Sequence, residues 1–235
     1  MKTTNFITLS DGRRLYYAEH GDSKGKPLFF FHGWPGSRLR SSFYDSIAKK
    51  LHIRIISPDR PGYGLSDYQE NRTLLDYPDD IVELADALRI KKFAVVGVSG
   101  GGPYTAVCAY KIPERITKAG IVVGAAPMYM SDLLRGMPLN YKLGWLGYAK
   151  LPFGAYIGSI LNYLQIILFP NFYFISFRAK SDQKIIKKKG QEFTGITREA
   201  FRQGIKGPAR DLVLYTTDWG FDLKKIKAKS VVVLW

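Results

Sequence analysis

Phe93-Ala94-Val95-Val96-Gly97-Val98-Ser99-Gly100-Gly101-Gly102-Pro103 sets a short apolar run directly before a serine flanked by glycines, with a proline close behind. The apolar run predicts a buried strand, and Pro103 suits the first turn of a helix, where a missing N–H costs little. Gly97, Ser99 and Gly101 match G-x-S-x-G in the strand–turn–helix context that this pattern requires. Such a turn strains the serine backbone, and bulky neighbours would clash with it. The helix that follows points its positive end at the serine. The stretch lacks the G-x-G-x-x-G or G-K-[ST] spacing of a phosphate-binding turn.

Working outward, the same alternation repeats. Pro27–Phe31, Ile53–Ile56 and Gly120–Val123 are further continuous apolar runs. Continuous apolarity predicts strands covered on both faces, as in parallel sheets. Helical segments over Phe43–Lys50, Asp79–Arg89 and Pro103–Tyr110 separate them. In the second, Ile81, Leu84, Ala85 and Leu88 share one helical face. At the N-terminus, Ser10-Asp11-Gly12 between β-prone runs predicts an antiparallel hairpin. The fold class predicted is α/β: a mostly parallel sheet with helices on both faces. The alternation stops near Ala126. Asp211–Tyr215 then reads as helix and Ser230–Leu234 as a further buried strand. The chain therefore divides into a first core part (residues 1–126), an insertion (127–207) and a second core part (208–235).

Composition bounds the setting. A chain of 235 residues with 46% hydrophobic and 23% charged residues holds one sizeable core. Its single Cys108 excludes an intramolecular disulfide framework and fits a reducing, cytoplasmic location. The first residues carry no apolar leader. The net charge of +15 concentrates late, in Lys187–Lys189 and Lys224, Lys225, Lys227 and Lys229. No aromatic-interleaved basic motif accompanies it, so a solvated surface is expected and no nucleic-acid partner.

Two more segments end strands in the same way: His32-Gly33-Trp34-Pro35-Gly36-Ser37, and Asp59-Arg60-Pro61-Gly62-Tyr63-Gly64-Leu65-Ser66-Asp67. Together with the serine turn, in this order on successive strands, they resemble the α/β-hydrolase superfamily. Within it they are similar to the cap-bearing branch of esterases, epoxide hydrolases, dehalogenases and proline iminopeptidases. The resemblance implies an α/β-hydrolase fold in which residues 127–207 form a helical cap. It makes Ser99 the nucleophile of an acyl-enzyme, with the Trp34 and Gly100 N–H groups as the oxyanion hole. His32, Gly33 and Gly101 then line the site, with His32 as a loop-shaping residue and not the base. Ser99 replaces the aspartate that epoxide hydrolases and dehalogenases carry at the elbow. Gly100 stands where proline iminopeptidases usually show a tryptophan.

The resemblance implies a small apolar acyl substrate, carboxylesterase-like chemistry, and neither metal nor organic cofactor. An acyltransferase or perhydrolase on the same scaffold, or a ligand-binding protein without turnover, are the alternatives. In this superfamily the order is serine, acid, histidine. His20, His32 and His52 all precede Ser99, and Asp132 is the one acid at an alternative position. The chain is therefore expected to lack its acid and base, as a truncated form, and to be inactive as it stands. Finally, Leu151–Phe177 carries no charge. It is expected to be mainly helical and to face the serine as pocket lining, with peripheral membrane contact through the cap or a true bilayer span as alternatives.

Overall fold

The computed structural model describes residues 4–130, 132, 135, 137–169, 180–227 and 231–234. Seven strands form one sheet in the order β1-β2-β4-β3-β5-β6-β7. They are β1 (Asn5–Thr8), β2 (Arg14–Gly21), β3 (Lys26–Phe31), β4 (Ile53–Pro58), β5 (Phe93–Val98), β6 (Ile116–Val122) and β7 (Val231–Leu234). β1 and β2 form the antiparallel hairpin read at Asp11-Gly12, and β2 runs antiparallel to β4. From β4 onward every pairing is parallel. This is the α/β-hydrolase sheet that the sequence predicts.

Alternation along the strands divides the core between two faces. Phe29 and Phe31 join Phe93 and Val95 on one face, under α2 (Tyr77–Ala87) and α3 (Gly102–Lys111). Phe30 and Ile55 point to the other face and meet Ala48 of α1 (Asp45–Lys50). In α2 the predicted face is buried through Ile81, Leu84 and Ala85, with Leu88 packed partly against it. Asp79 and Asp80 sit in its first turn, where acidic groups complement the helix dipole.

The helix read over Asp211–Tyr215 begins earlier, at Lys206, and that read over Asp79–Arg89 runs Tyr77–Ala87; two further boundaries differ for clear physical reasons. The helix expected from Phe43 starts instead as a 3₁₀ turn, Arg38–Tyr44, and becomes α-helical only at Asp45. Arg38 anchors that turn, donating both its backbone N–H and its guanidinium to Asp59 at 2.6 Å. β6 starts four residues before the expected Gly120. Its exposed Thr117 and Lys118 disguise the strand from any search for apolar runs.

After β6 come α4 (Leu139–Lys150), α5 (Gly154–Leu168) and α6 (Lys180–Ala200), and then α7 (Lys206–Thr216). α5 packs on α4, α6 and α7. α6 is latched to the 3₁₀ turn. Ser37 Oγ donates to the Ile196 carbonyl at 3.0 Å, Arg38 reaches Glu199 at 2.7 Å, and Phe43 meets Phe193 with centroids 4.9 Å apart. Among the described residues no helix is long and apolar enough to cross a membrane. The expectation that Leu151–Phe177 is mainly helical holds over α5, one face of which turns inward onto α4, α6 and α7. Its other apolar face is exposed, and residues 170–177 lie outside the described residues.

Phe93 is 1% exposed and packs tilted against Phe29, ring centroids 4.5 Å apart, at the centre of the sheet. Phe93→Ala should lower unfolding free energy by about 3–5 kcal/mol. A urea titration followed by far-UV circular dichroism would show it as a lower midpoint at an unchanged m-value.

Candidate active site

Ser99 stands at the carboxyl end of β5, the first residue of a 3₁₀ turn, Ser99–Gly101, that runs into α3. Val98 is still extended, at φ −110° and ψ 132°, whereas Ser99 sits at φ 53°. The chain thus reverses within one residue, in a left-handed conformation that a non-glycine residue rarely adopts. Ser99 is solvent-exposed, while Gly100 and Gly101 are buried. The turn therefore lifts a hydroxyl out of the sheet while burying the backbone beneath it.

The glycines are sterically required. A Cβ on Gly97 would lie 2.1 Å from the Gly101 carbonyl oxygen, and one on Gly101 would lie 2.2 Å from the Phe31 carbonyl oxygen. Neither backbone oxygen has room to move. The Ser99 carbonyl accepts from Ala125 N–H at 2.9 Å, which ties the turn to the segment after β6.

The loop after β3 meets this turn. A Cβ on Gly33 would come within 3.3 Å of Ser99 Cβ and 3.9 Å of its Oγ. A Cβ on Gly100 would come within 3.0 Å of Trp34 N. No described residue accepts a hydrogen bond from that Trp34 N–H. The Trp34 indole donates to the Pro208 carbonyl at 2.9 Å, which fixes the ring against α7. Gly33, Trp34, Ser99, Gly100 and Gly101, read from two separate motifs, are gathered at one place.

His32 is wholly buried beneath them. Its Nδ1 lies 2.9 Å from the Gly33 carbonyl, which can only accept, so Nδ1 carries the proton. Burial, reinforced by the nearby Arg60 charge, pushes its pKa well below the usual imidazole range. It is a neutral residue that shapes the loop. The other histidines are engaged elsewhere. His20 Nδ1 meets Ser41 Oγ at 2.8 Å, and His52 Nδ1 meets Asp22 at 2.9 Å. Asp132 pairs with Arg135 at 3.0 Å in solvent. None of these groups is bonded to Ser99.

A cluster absent from the sequence reading holds the site together. Asp211 of α7, fully buried, accepts from Arg60 Nε at 2.7 Å, Tyr63 OH at 2.7 Å, Tyr104 OH at 2.5 Å and Tyr215 OH at 3.1 Å, and from Arg72 Nη2. Burial alone would raise the pKa of this carboxyl. The Arg60 and Arg72 charges outweigh burial and hold it well below the ordinary carboxylate range. The cluster touches the site twice. Arg60 Nη1 donates to the His32 carbonyl at 2.5 Å, and Tyr215 OH donates to the Gly100 carbonyl at 2.8 Å. In the sequence Asp211 stands next to Arg210 at the head of the apolar Leu212–Tyr215 run, and nothing local points to Arg60 or Arg72.

Comparison with known proteins identifies the fold family. The model of the alpha/beta hydrolase fold family matches residues 26–159, more than half of the chain. The chain is 33% identical over 141 residues to a non-heme chloroperoxidase of Streptomyces lividans, covering 57% of this chain and 50% of that protein. It is 27% identical over 129 residues to a bifunctional esterase/perhydrolase of Acinetobacter calcoaceticus, covering 53% and 46%. The chain thus spans about half the length of the curated relatives it matches. An esterase from Exiguobacterium antarcticum shares its fold, with a TM-score of 0.69 at 20% identity, covering 97% of this chain and 79% of that one.

Two outcomes follow from the packing. Gly101→Ala forces a Cβ onto the Phe31 carbonyl and should cost about 1–3 kcal/mol, read as a lower melting temperature. Asp211→Asn leaves two buried guanidiniums without their counter-charge and should cost about 3–5 kcal/mol. The pH dependence carries the sign. The folded pKa of Asp211 lies below its unfolded value of 3.8, so its contribution is complete above that pH and is lost as pH falls toward the folded value. Urea midpoints measured from pH 6 down to pH 3 should fall in wild type and fall less in Asp211→Asn.

Proposed function

The chain belongs to the alpha/beta hydrolase fold family, and from that premise we propose that it is a serine hydrolase acting on a small apolar acyl substrate. The observation that carries this reading is Ser99 itself, at φ 53° between glycines that admit no Cβ, with its side chain exposed beside Gly33 and Trp34. In the proposed reaction Ser99 Oγ attacks the carbonyl carbon and forms a tetrahedral oxyanion. The Trp34 and Gly100 N–H groups stabilise that oxyanion; one such donor is typically worth about 100- to 1000-fold in rate. Collapse breaks the bond to the leaving group, which takes up a proton, and leaves an acyl ester on Ser99. Water then releases the acid. In a perhydrolase, the activity named for one relative, hydrogen peroxide takes the place of that water.

One observation favours a second reading, ligand binding without turnover. All three histidines of this chain are engaged away from Ser99, so none takes its proton. The two readings part on whether Ser99 acylates when a base is supplied. The 235-residue protein is incubated with p-nitrophenyl acetate, with and without imidazole, and examined by peptide mass spectrometry. The acyl-enzyme reading expects one acetyl group on Ser99, formed faster with imidazole and absent from Ser99→Ala. Unmodified Ser99 in the presence of imidazole leaves the binding reading.

A further inference from the structure

The outer face of the α4–α5 hairpin is apolar and uncovered. In α5 the buried positions are Gly154, Ala155, Ser159 and Ile166, and Tyr163 packs inward against Phe201 at 5.4 Å. The opposite side carries Tyr156, Ile157, Ile160, Leu161, Leu164 and Leu168, all exposed, with Leu161 and Leu168 each at 62%. At 3.6 residues per turn these fall within one arc of about 140°, so they form a continuous stripe. Phe153 at the head of α5 is 77% exposed, and Leu139 and Leu143, one turn apart on α4, are exposed as well. A soluble monomer rarely exposes an apolar patch of this extent, and such patches mark a docking surface.

Charge identifies the occupant. Between Arg135 and Asp182 the sequence holds no acidic residue, in a chain of net charge +15. Lys142 and Lys150 belong to α4, and neither is paired with a carboxylate among the described residues. An apolar face beside two such lysines matches an anionic bilayer surface, where apolar side chains enter the headgroup boundary and lysines meet the lipid charge. Tyr156 is of a residue type that favours that boundary.

We propose that the α4–α5 hairpin docks this protein on the surface of an anionic membrane, lying in the interface without crossing it. The inner face of the same helix packs against Phe201 and, through Ile166, joins the cluster of Tyr63 and Trp34. Docking therefore sets the lipid on the far side of the helix that roofs the Trp34 loop. The proposal does not depend on Ser99 chemistry, and Ser99→Ala should dock like wild type.

The test is flotation of the full chain with phosphatidylcholine vesicles, with and without one-third phosphatidylserine, at moderate salt. Wild type should partition onto the anionic vesicles on the order of tenfold or more above the neutral ones. Ile157→Ser/Leu161→Ser/Leu164→Ser should abolish the partitioning at an unchanged melting temperature, because all three side chains are exposed. Lys142→Glu/Lys150→Glu should erase the anionic preference. The proposal is overturned if wild type floats with neither vesicle, or if the triple-serine variant floats like wild type. It is also overturned if the triple variant only converts a dimer to a monomer in analytical ultracentrifugation without changing flotation, which would assign the face to a second copy of the chain.

Discussion

The carboxylate of Asp211, sealed from water between two guanidiniums, is the constraint on which the arrangement around Ser99 depends. A buried ion of this kind is tolerated only when its charge is matched and its lone pairs are filled. Here both oxygens are used, by Arg60, Arg72, Tyr63, Tyr104 and Tyr215. These partners come from the loop after β4, from the stretch before α2, from α3 and from α7 itself. Satisfying one charge therefore brings four separate parts of the chain to fixed positions. Because Tyr215 also holds the Gly100 carbonyl and Arg60 holds the His32 carbonyl, the cluster sets both backbone segments that flank the serine.

The serine turn adds local strain to this long-range constraint. A left-handed Ser99 costs on the order of 1–3 kcal/mol and persists only where its surroundings over-determine it. Its surroundings do so. Gly97 and Gly101 leave no space for a side chain, Ala125 holds the Ser99 carbonyl, and α3 begins at once. The strain is confined to the one residue whose side chain is exposed.

These two layers explain what was legible in the sequence. Ser99, Gly100 and Gly101 were readable because the steric demand is local and writes glycines at fixed spacing. Gly33 and Trp34 were readable because their motif ends a neighbouring strand. The Asp211 cluster was not, because four of its five partners lie 107 to 151 residues away and no local pattern records a distant ion pair. The early start of β6 was hidden by Thr117 and Lys118, which are polar because that end of the strand is exposed. The uncharged run from Leu151 showed that α5 is apolar all round. It did not show which side would be covered, since apolarity without periodicity gives a helix no preferred face. That assignment came only from the packing of α5 on α7.

The insertion and the loop beside the serine are mechanically one unit. Three contacts hold the helical insertion and α7 to the residues after β3: Trp34 to Pro208, Ser37 to Ile196 and Arg38 to Glu199. All three begin within five residues of Gly33, and Arg38 is itself pinned to the core through Asp59. The buried Arg38–Asp59 pair fixes the 3₁₀ turn to the core, because separating it would strand both charges away from water. The insertion and the loop that carries Trp34, whose backbone nitrogen borders Gly100, thus share one anchor.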